Sequence, residues 1–382
     1  MVAYVEYFNV LDYPTKIELV YVRYPAKKLL RGEEAPDLIF SSWLDSPEMS
    51  GMFISIDSLF RDELINPKDF FPKLLERGRV EDKQITLPFS FNLPAMVYRS
   101  DRTKGNLNQF VIEMEELVEW NIQTTKKENE KFSNIAFSPN WDMNFVYLVA
   151  DSLGANFSSD SNGSINFDKE AIKLAVTTIN SWISEIAETI KHDQDFQNTY
   201  FHKPMYELLF DERIGIYFSD IAAFALIPQH KRVKLDFRWL DLNGYVPVLS
   251  DYRSFAIPEG SNNVLGAKNF ISWIYQSDVQ EELFEIAIKK RIRVFGLTGG
   301  IPVLQSVSQR ILPQYHDFLI GRLLRSKDLI LPSRVSVDWE QITEQVIYPW
   351  LRGAIVSALT SSAIEYKSLN DMIVRWRLEH DF

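Results

Sequence analysis

Two periodicities alternate along the chain. Short apolar runs bounded by Pro, Asp or Gly, at residues 17–22, 38–41, 95–98, 214–218 and 255–257, carry the signature of strands. Between them lie amphipathic stretches. Residues 107–123 place Phe110, Met114, Leu117 and Val118 on one stripe, with Glu113, Glu115, Glu116 and Glu119 on the opposite face of a helix. Residues 141–153 predict a helix closed by Gly154, and Asp168 stands as N-cap of a long helical pattern reaching residue 190. One or two helices follow at 263–287, and after Pro302 the chain reads as mainly helical, most clearly at 339–359 and 368–378. Polar residues 123–131 read as a solvated helix end and loop. This alternation predicts an α/β fold with at least partly parallel sheets.

A length of 382 residues allows two to three domains at about 150 residues each. The formal net charge of −11 has the wrong sign for sliding along nucleic acid or resting on anionic lipid, so neutral or locally recognised partners are expected. Cysteine is absent, which excludes disulfides, thiolate catalysis and Cys-based zinc or iron–sulfur sites. No apolar run approaches the roughly 20 residues of a transmembrane helix. Residues 1–13 carry Glu6 and Asp12 and have no basic stretch leading into an apolar one, so they are not a signal peptide. What stands out is the aromatic share, with 9 Trp, 16 Tyr and 26 Phe.

Candidate chemistry is sparse. The sequence has no nucleophile elbow, no Gly-rich phosphate loop, no dinucleotide fingerprint and no His-Glu-x-x-His. His192, His202, His230, His316 and His380 are scattered singly and read as surface or packing residues. Residues 158–165 have the spacing of a calcium loop, but Ser158 stands at the first ligand position and Lys169 at the twelfth, so a polar hairpin is expected there. Asp45, Asp142 and Asp220 lie close to aromatics and leave glycoside-cleaving carboxylate pairs open. Trp43 directly follows a buried strand, at the carboxyl end where α/β sheets form ligand crevices.

Several segments, in order, resemble the extracellular solute-binding proteins of ABC importers, in the sugar-binding group that includes the maltose binders. Ala35-Pro36-Asp37-Leu38-Ile39-Phe40 and the stretch from Gly51 to Asp57 are similar to early family segments. Ile85-Thr86-Leu87-Pro88 with Met96-Val97-Tyr98-Arg99-Ser100-Asp101 resembles a pair of family strands, and 154–168 resembles the family's hairpin before a long helix. Residues 210–220 and 267–282 with Gly300-Ile301-Pro302-Val303 complete the series. Family members open with a strand, whereas only sixteen residues precede Ile17 here, room for a helix over 2–11. The amino end therefore reads as shortened, with a signal or lipoprotein segment expected upstream. Tyr98-Arg99-Ser100-Asp101 and Ile216-Tyr217 depart from the family pattern, so ligand identity does not carry over.

The resemblance implies a two-lobe periplasmic-binding-protein-like fold with several interlobe crossovers and a ligand cleft between lobes. Lobe 1 is expected to hold 1–104 and 255–305, and lobe 2 to hold 105–254 and 306–382, with crossovers near 102–107, near 251–254 and after Pro302. Positions matching the family's cleft segments are Ser42, Trp43, Asp45, Phe91, Asn92, Trp141, Asp142, Ser219, Asp220, Tyr252, Arg253, Gly299 and Gly300. Their ring and carboxylate chemistry suits a sugar, which offers apolar C–H faces and hydroxyl edges. The expectation is a non-enzymatic, monomeric carbohydrate binder outside the cytoplasm, without cofactor or metal, that delivers its ligand to ABC permease subunits. An anionic or peptide-like solute gripped by Arg253 and a glycoside-acting enzyme are the alternatives.

Overall fold

The computed structural model describes residues 1–102, 110–128, 131–360 and 368–380. Its frame is a pair of four-stranded sheets. Thr86–Phe91 is buried at every position and forms the inside of the first sheet, between Arg253–Ala256 and Ile301–Pro302, with Ile39–Ser42 on the outer edge. Pro88 has no N–H to give, and the ladder skips a residue there, pairing Arg253 with Ser90 but Ser254 with Pro88. In the second sheet Pro94–Arg99 lies between Ile216–Asp220 and Leu235–Leu240, and Val111–Ile112 adds to the far side of Leu235–Leu240.

The expected parallel character is small. All pairings in the first sheet are antiparallel, and the parallel pairs of strands among the described residues are Trp239–Leu240 with 111–112 and Val246–Pro247 with Leu329–Ile330. The first change of lobe also lies elsewhere than expected. Phe91 ends a strand of the first sheet and Pro94 begins one of the second, so Asn92 and Leu93 make the passage, and residues 94–99 belong with 216–220 and 235–240 rather than with an N-terminal lobe ending at 104. Residues 103–107 themselves lie outside the described residues. The chain returns to the first sheet between Leu240 and Arg253, and leaves it again after Pro302.

Local signals set most helix ends. Asp168 accepts a hydrogen bond from the Ala171 N–H at 2.9 Å and starts Lys169–Ala187, which stops at Glu188 in a left-handed conformation (φ 62°) before a second helix, Ile190–Tyr200. Gly154, at φ 99°, follows the helix Met143–Ser152. The calcium-like stretch is a hairpin, Ser158–Ser159 against Ile165–Asn166, its turn held by the Asp160 carboxylate accepting from the Asn162 and Ser164 N–H groups. Instead of a loop, Lys126–Glu128 pairs with Lys131–Asn134.

One strand-like segment forms no strand. Residues 17–22 follow the helix Val2–Val10 and alternate between half-buried and exposed, yet no described strand pairs with them. Asn9 anchors the start of the segment, accepting from the Ile17 N–H and donating to the Ile17 carbonyl. Period-two apolarity makes a strand only where a neighbour completes the backbone hydrogen bonds. Here Val20 and Tyr21 remain exposed.

A single apolar cluster runs through both lobes, with a smaller one around Leu29, Ile39, Leu44 and Phe53. Most aromatics belong to it. Phe8 packs on Tyr13, Phe270 and Trp273, while Phe137, Phe145 and Trp182 meet edge to face or tilted under the second sheet. Each such ring contributes roughly 1.5–3 kcal/mol through burial.

Candidate ligand cleft

A cleft of about 500 Å³ opens where the chain passes between the sheets. That volume suits a small ligand. Trp43 lines it from the end of the first sheet, and Asn92 from the passage itself. Asp220 comes from the end of a strand in the second sheet, and Asn144, Tyr147 and Asp151 from the helix that starts at Met143. The opposite wall is made by residues 330–333 and by Trp339, Glu340, Thr343, Glu344 and Tyr348. Trp43 and Tyr348 are half-buried, while Tyr147 and Trp339 lie deeper, with the Tyr147 ring 6.2–6.3 Å from those of Trp339 and Tyr348.

Three of the anticipated positions meet in this cleft. Trp43 sits at φ 56°, a backbone strain for a bulky residue, and its Nε1 is shielded from water without a hydrogen-bond partner among the described residues. Asn92 donates from Nδ2 to Asp220 Oδ1 at 2.8 Å, joining the passage to the second sheet. Asp220 also accepts from the Ala223 N–H and so caps the helix Ile221–Leu226.

Ser42 and Arg253 line a neighbouring, broader recess, which Trp43 shares. Ser42 donates to the Asp251 carbonyl at 2.8 Å, and Arg253 donates to the Thr298 carbonyl at 2.7 Å. That commitment leaves the Arg253 guanidinium outside the cleft's lining. Trp141 and Asp142 lie by a third, shallow recess with Glu344 and Arg352. The Trp141 indole is tied down, donating to Asp193 Oδ1 at 3.0 Å and stacking on Phe196. Asp142 caps its helix through the Asn144 N–H, and burial pushes its carboxyl above the usual range, with Asp220 adding to the rise.

The remaining positions serve the structure. Phe91 is 2 % exposed and packs edge to face on Phe71. Asp45 accepts from Arg77 Nε and from the Tyr252 hydroxyl, and Tyr252 is 5 % exposed. These three lie in the core of the first lobe, because a buried Arg requires its carboxylate partner. Gly299, at φ 92°, and Gly300 form the turn into Ile301–Pro302. A Cβ on Gly300 would stand 2.8 Å from the Phe91 carbonyl oxygen, so that glycine serves close strand approach. Ser219, the last residue but one of its strand, is half-buried and away from the described recesses.

Sequence reasoning overlooked the helical walls. Asn144, Tyr147, Leu148 and Asp151 recur at helical spacing, as do Glu340, Glu344 and Tyr348, and a stripe of amides and acids within an otherwise apolar helix was the available signal.

Residues 31–310 match the family model of the bacterial extracellular solute-binding proteins. The chain belongs to this family. Among solved structures it is similar to the ABC substrate-binding protein Lmo0181 from Listeria monocytogenes in complex with cycloalternan, at TM-score 0.63 and 15 % identity over 98 % of this chain and 95 % of the other. CpMnBP1 with mannotriose bound gives TM-score 0.62 at 15 % identity, covering 99 % of this chain and 95 % of that one. MalX from Streptococcus pneumoniae, in complex with maltopentaose, gives 0.58 at 13 % identity, with 99 % and 97 % covered. At such identities these likenesses establish the two-lobe binding-protein fold. No curated protein matches the sequence. The family is one of extracellular solute binders. Among the described residues no helix is long and apolar enough to cross a membrane.

Proposed function

We propose that this solute-binding protein captures an oligosaccharide in the interlobe cleft outside the cytoplasm and delivers it, unaltered, to the permease subunits of an ABC importer. The observation that carries this reading is the cleft's make-up. Half-buried rings from Trp43 and Tyr348 stand among carboxylates and amides contributed from both lobes, a combination suited to sugar faces and hydroxyls. The solved relatives hold cycloalternan, mannotriose and maltopentaose, which supports a saccharide of several units. Binding is favoured over hydrolysis because the three acids singled out for their aromatic neighbours in sequence are committed elsewhere, Asp45 to Arg77 and Asp142 and Asp220 to helix caps. The protein is titrated with α- and β-linked oligosaccharides while its tryptophan emission is followed and the sugar is recovered. Saturable change with intact sugar is the expected result; cleaved sugar, or no response to any saccharide, overturns the proposal.

A further inference from the structure

One short stretch of chain is held by both lobes at once. Residues 334–338 run between two parts of the cleft wall, 330–333 before them and Trp339 and Glu340 after. From the first lobe Glu48, which follows the strand Ile39–Ser42, accepts from the Ser336 hydroxyl at 2.6 Å and from the Val337 N–H at 3.0 Å. Val337 belongs to the small apolar cluster of Ile39, Leu44 and Met49, and the Arg334 guanidinium donates to the Arg77 and Arg79 carbonyls at 2.9 and 3.1 Å.

The second lobe holds the same stretch from the other side. The Ser159 N–H, in the hairpin after Met143–Ser152, donates to the Arg334 carbonyl at 2.9 Å. Arg377, on the last helix, Leu369–Glu379, donates from Nε and Nη2 to the two oxygens of Asp338, each at 3.0 Å, and from Nη2 also to the Ser336 hydroxyl oxygen at 3.0 Å. Its Nη1 reaches the Gly163 carbonyl of that hairpin. The helix Met143–Ser152 packs on the second sheet through Phe145 and Phe218, and its Tyr147 meets Trp339.

These bonds are sheltered from water. Ser336 and Asp338 are buried, and a two-pronged pair of guanidinium and carboxylate is directional as well as strong. The Ser336 hydroxyl stands at the centre, giving its proton to Glu48 and accepting one from Arg377. Gly163, at φ 77°, lets the lobes approach closely there, since a Cβ on it would collide with the Glu48 carboxylate. A change of angle between the lobes must therefore break the bonds on one side of the stretch, and either way it displaces the wall at both of its ends.

We propose that Glu48 and Arg377 are positioning residues for the ligand: from opposite lobes they grip residues 334–338, and so set both the spread of the lobes and the stance of the 330–340 wall. This inference rests on the interlobe cleft of the reading above, whichever solute fills it.

The chain has no cysteine, so Thr178→Cys/Asp278→Cys, at exposed helix positions, takes two spin labels and no others. Asp278 follows Tyr275, whose hydroxyl bonds the Leu87 and Pro88 carbonyls of the first sheet, and Thr178 lies on Lys169–Ala187, packed on Met143–Ser152. Dipolar spectroscopy of the ligand-free protein then reads the distance between the lobes. Glu48→Ala should shift and broaden that distance; Ser336→Ala, which deletes one oxygen and keeps the melting curve close to wild type, should do so to a lesser degree. Titration with maltopentaose and mannotriose should show about fivefold weaker binding in Glu48→Ala. Distances in both variants identical to wild type overturn the proposal, as does unchanged affinity for a saccharide that the wild type binds. Where neither saccharide binds the wild type, the proposed ligand falls and the distance alone decides the positioning role.

Discussion

Replacing Asp45 with alanine separates a structural acid from a ligand-binding one. In the wild type its carboxylate takes hydrogen bonds from Arg77 and Tyr252, and the side chains of Asp45 and Arg77 are only 8 % and 14 % exposed. Removing the carboxylate leaves a guanidinium in the core with only the Tyr252 oxygen at 3.0 Å, and deprives that phenol of its acceptor. Breaking a buried pair from one side costs about 3–5 kcal/mol. Unfolding a chain of 382 residues at about 2.1 cal/mol/K per residue carries an entropy near 0.8 kcal/mol/K. The melting temperature should therefore fall by roughly 4–6 °C in a single cooperative transition, with saccharide affinity changed less than threefold. Tyr252→Phe, which keeps the ring, should cost about 1–2 kcal/mol. Calorimetry and titration on the same preparations provide the check. A melting temperature within 1 °C of wild type together with lost binding would place Asp45 on the ligand and refute the reasoning.

Trp43→Ala should weaken saccharide binding about tenfold, since a ring stacked on a ligand contributes roughly 1–1.5 kcal/mol, and its melting temperature should fall less than that of Asp45→Ala; unchanged affinity would assign the ring to the core. Asp193→Ala should destabilise by about 3 kcal/mol in urea unfolding, because this fully buried carboxylate holds Asn140, Trp141 and Gln197; a loss under 1 kcal/mol would refute its anchoring role. His316 packs against Phe295 and Phe318, and burial, aided by Arg232, lowers its imidazole from 6.5 to about 4. As pH falls, the unfolded chain takes up this proton first, so the contribution is complete above about 6.5 and lost on the way down to about 4. At about 1.36 kcal/mol per pH unit that amounts to roughly 3 kcal/mol. Urea unfolding from pH 7 to 4 should show this slope in the wild type and a flatter one in His316→Phe; identical slopes would falsify the assignment.

Much of the fold is written in local signals, and the site is not. Asp168 and Gly154 mark helix ends because a cap is a contact between near neighbours. Residues 17–22 show the limit of such signals, since the pattern specifies a strand while pairing depends on a neighbour elsewhere. The same logic separates Asp251 from Tyr252. Asp251 lines the cleft from the turn before the strand Arg253–Ala256, while Tyr252, the next residue, enters the core because Asp45 and Arg77 meet its hydroxyl there. Two residues between strands were enough to change sheets, which no composition shift at Asn92 and Leu93 advertises. Trp43, Asn92 and Asp220 could be anticipated because they follow or end strands of the sheets; the 330–348 wall is remote from them in sequence, and only folding brings it there.

The placement of these walls bears on how a ligand could move the lobes. A ligand shifts an equilibrium between open and closed forms only through contacts that differ between them. The Trp43 ring stands at the first sheet's end of the cleft, whereas Asp220 ends a strand of the second sheet and Tyr147 belongs to a helix packed on that sheet through Phe145 and Phe218. A ligand touching one set alone binds open and closed forms alike and moves nothing, however tightly it is held. One spanning both gains its second set only on closure, and carrying the population from 1:99 to 99:1 requires about 5.5 kcal/mol of such differential contact. A single stacked ring supplies roughly a quarter of that. Closure therefore calls for several polar contacts beside the ring, and the acids crowded on the far wall are the groups placed to make them.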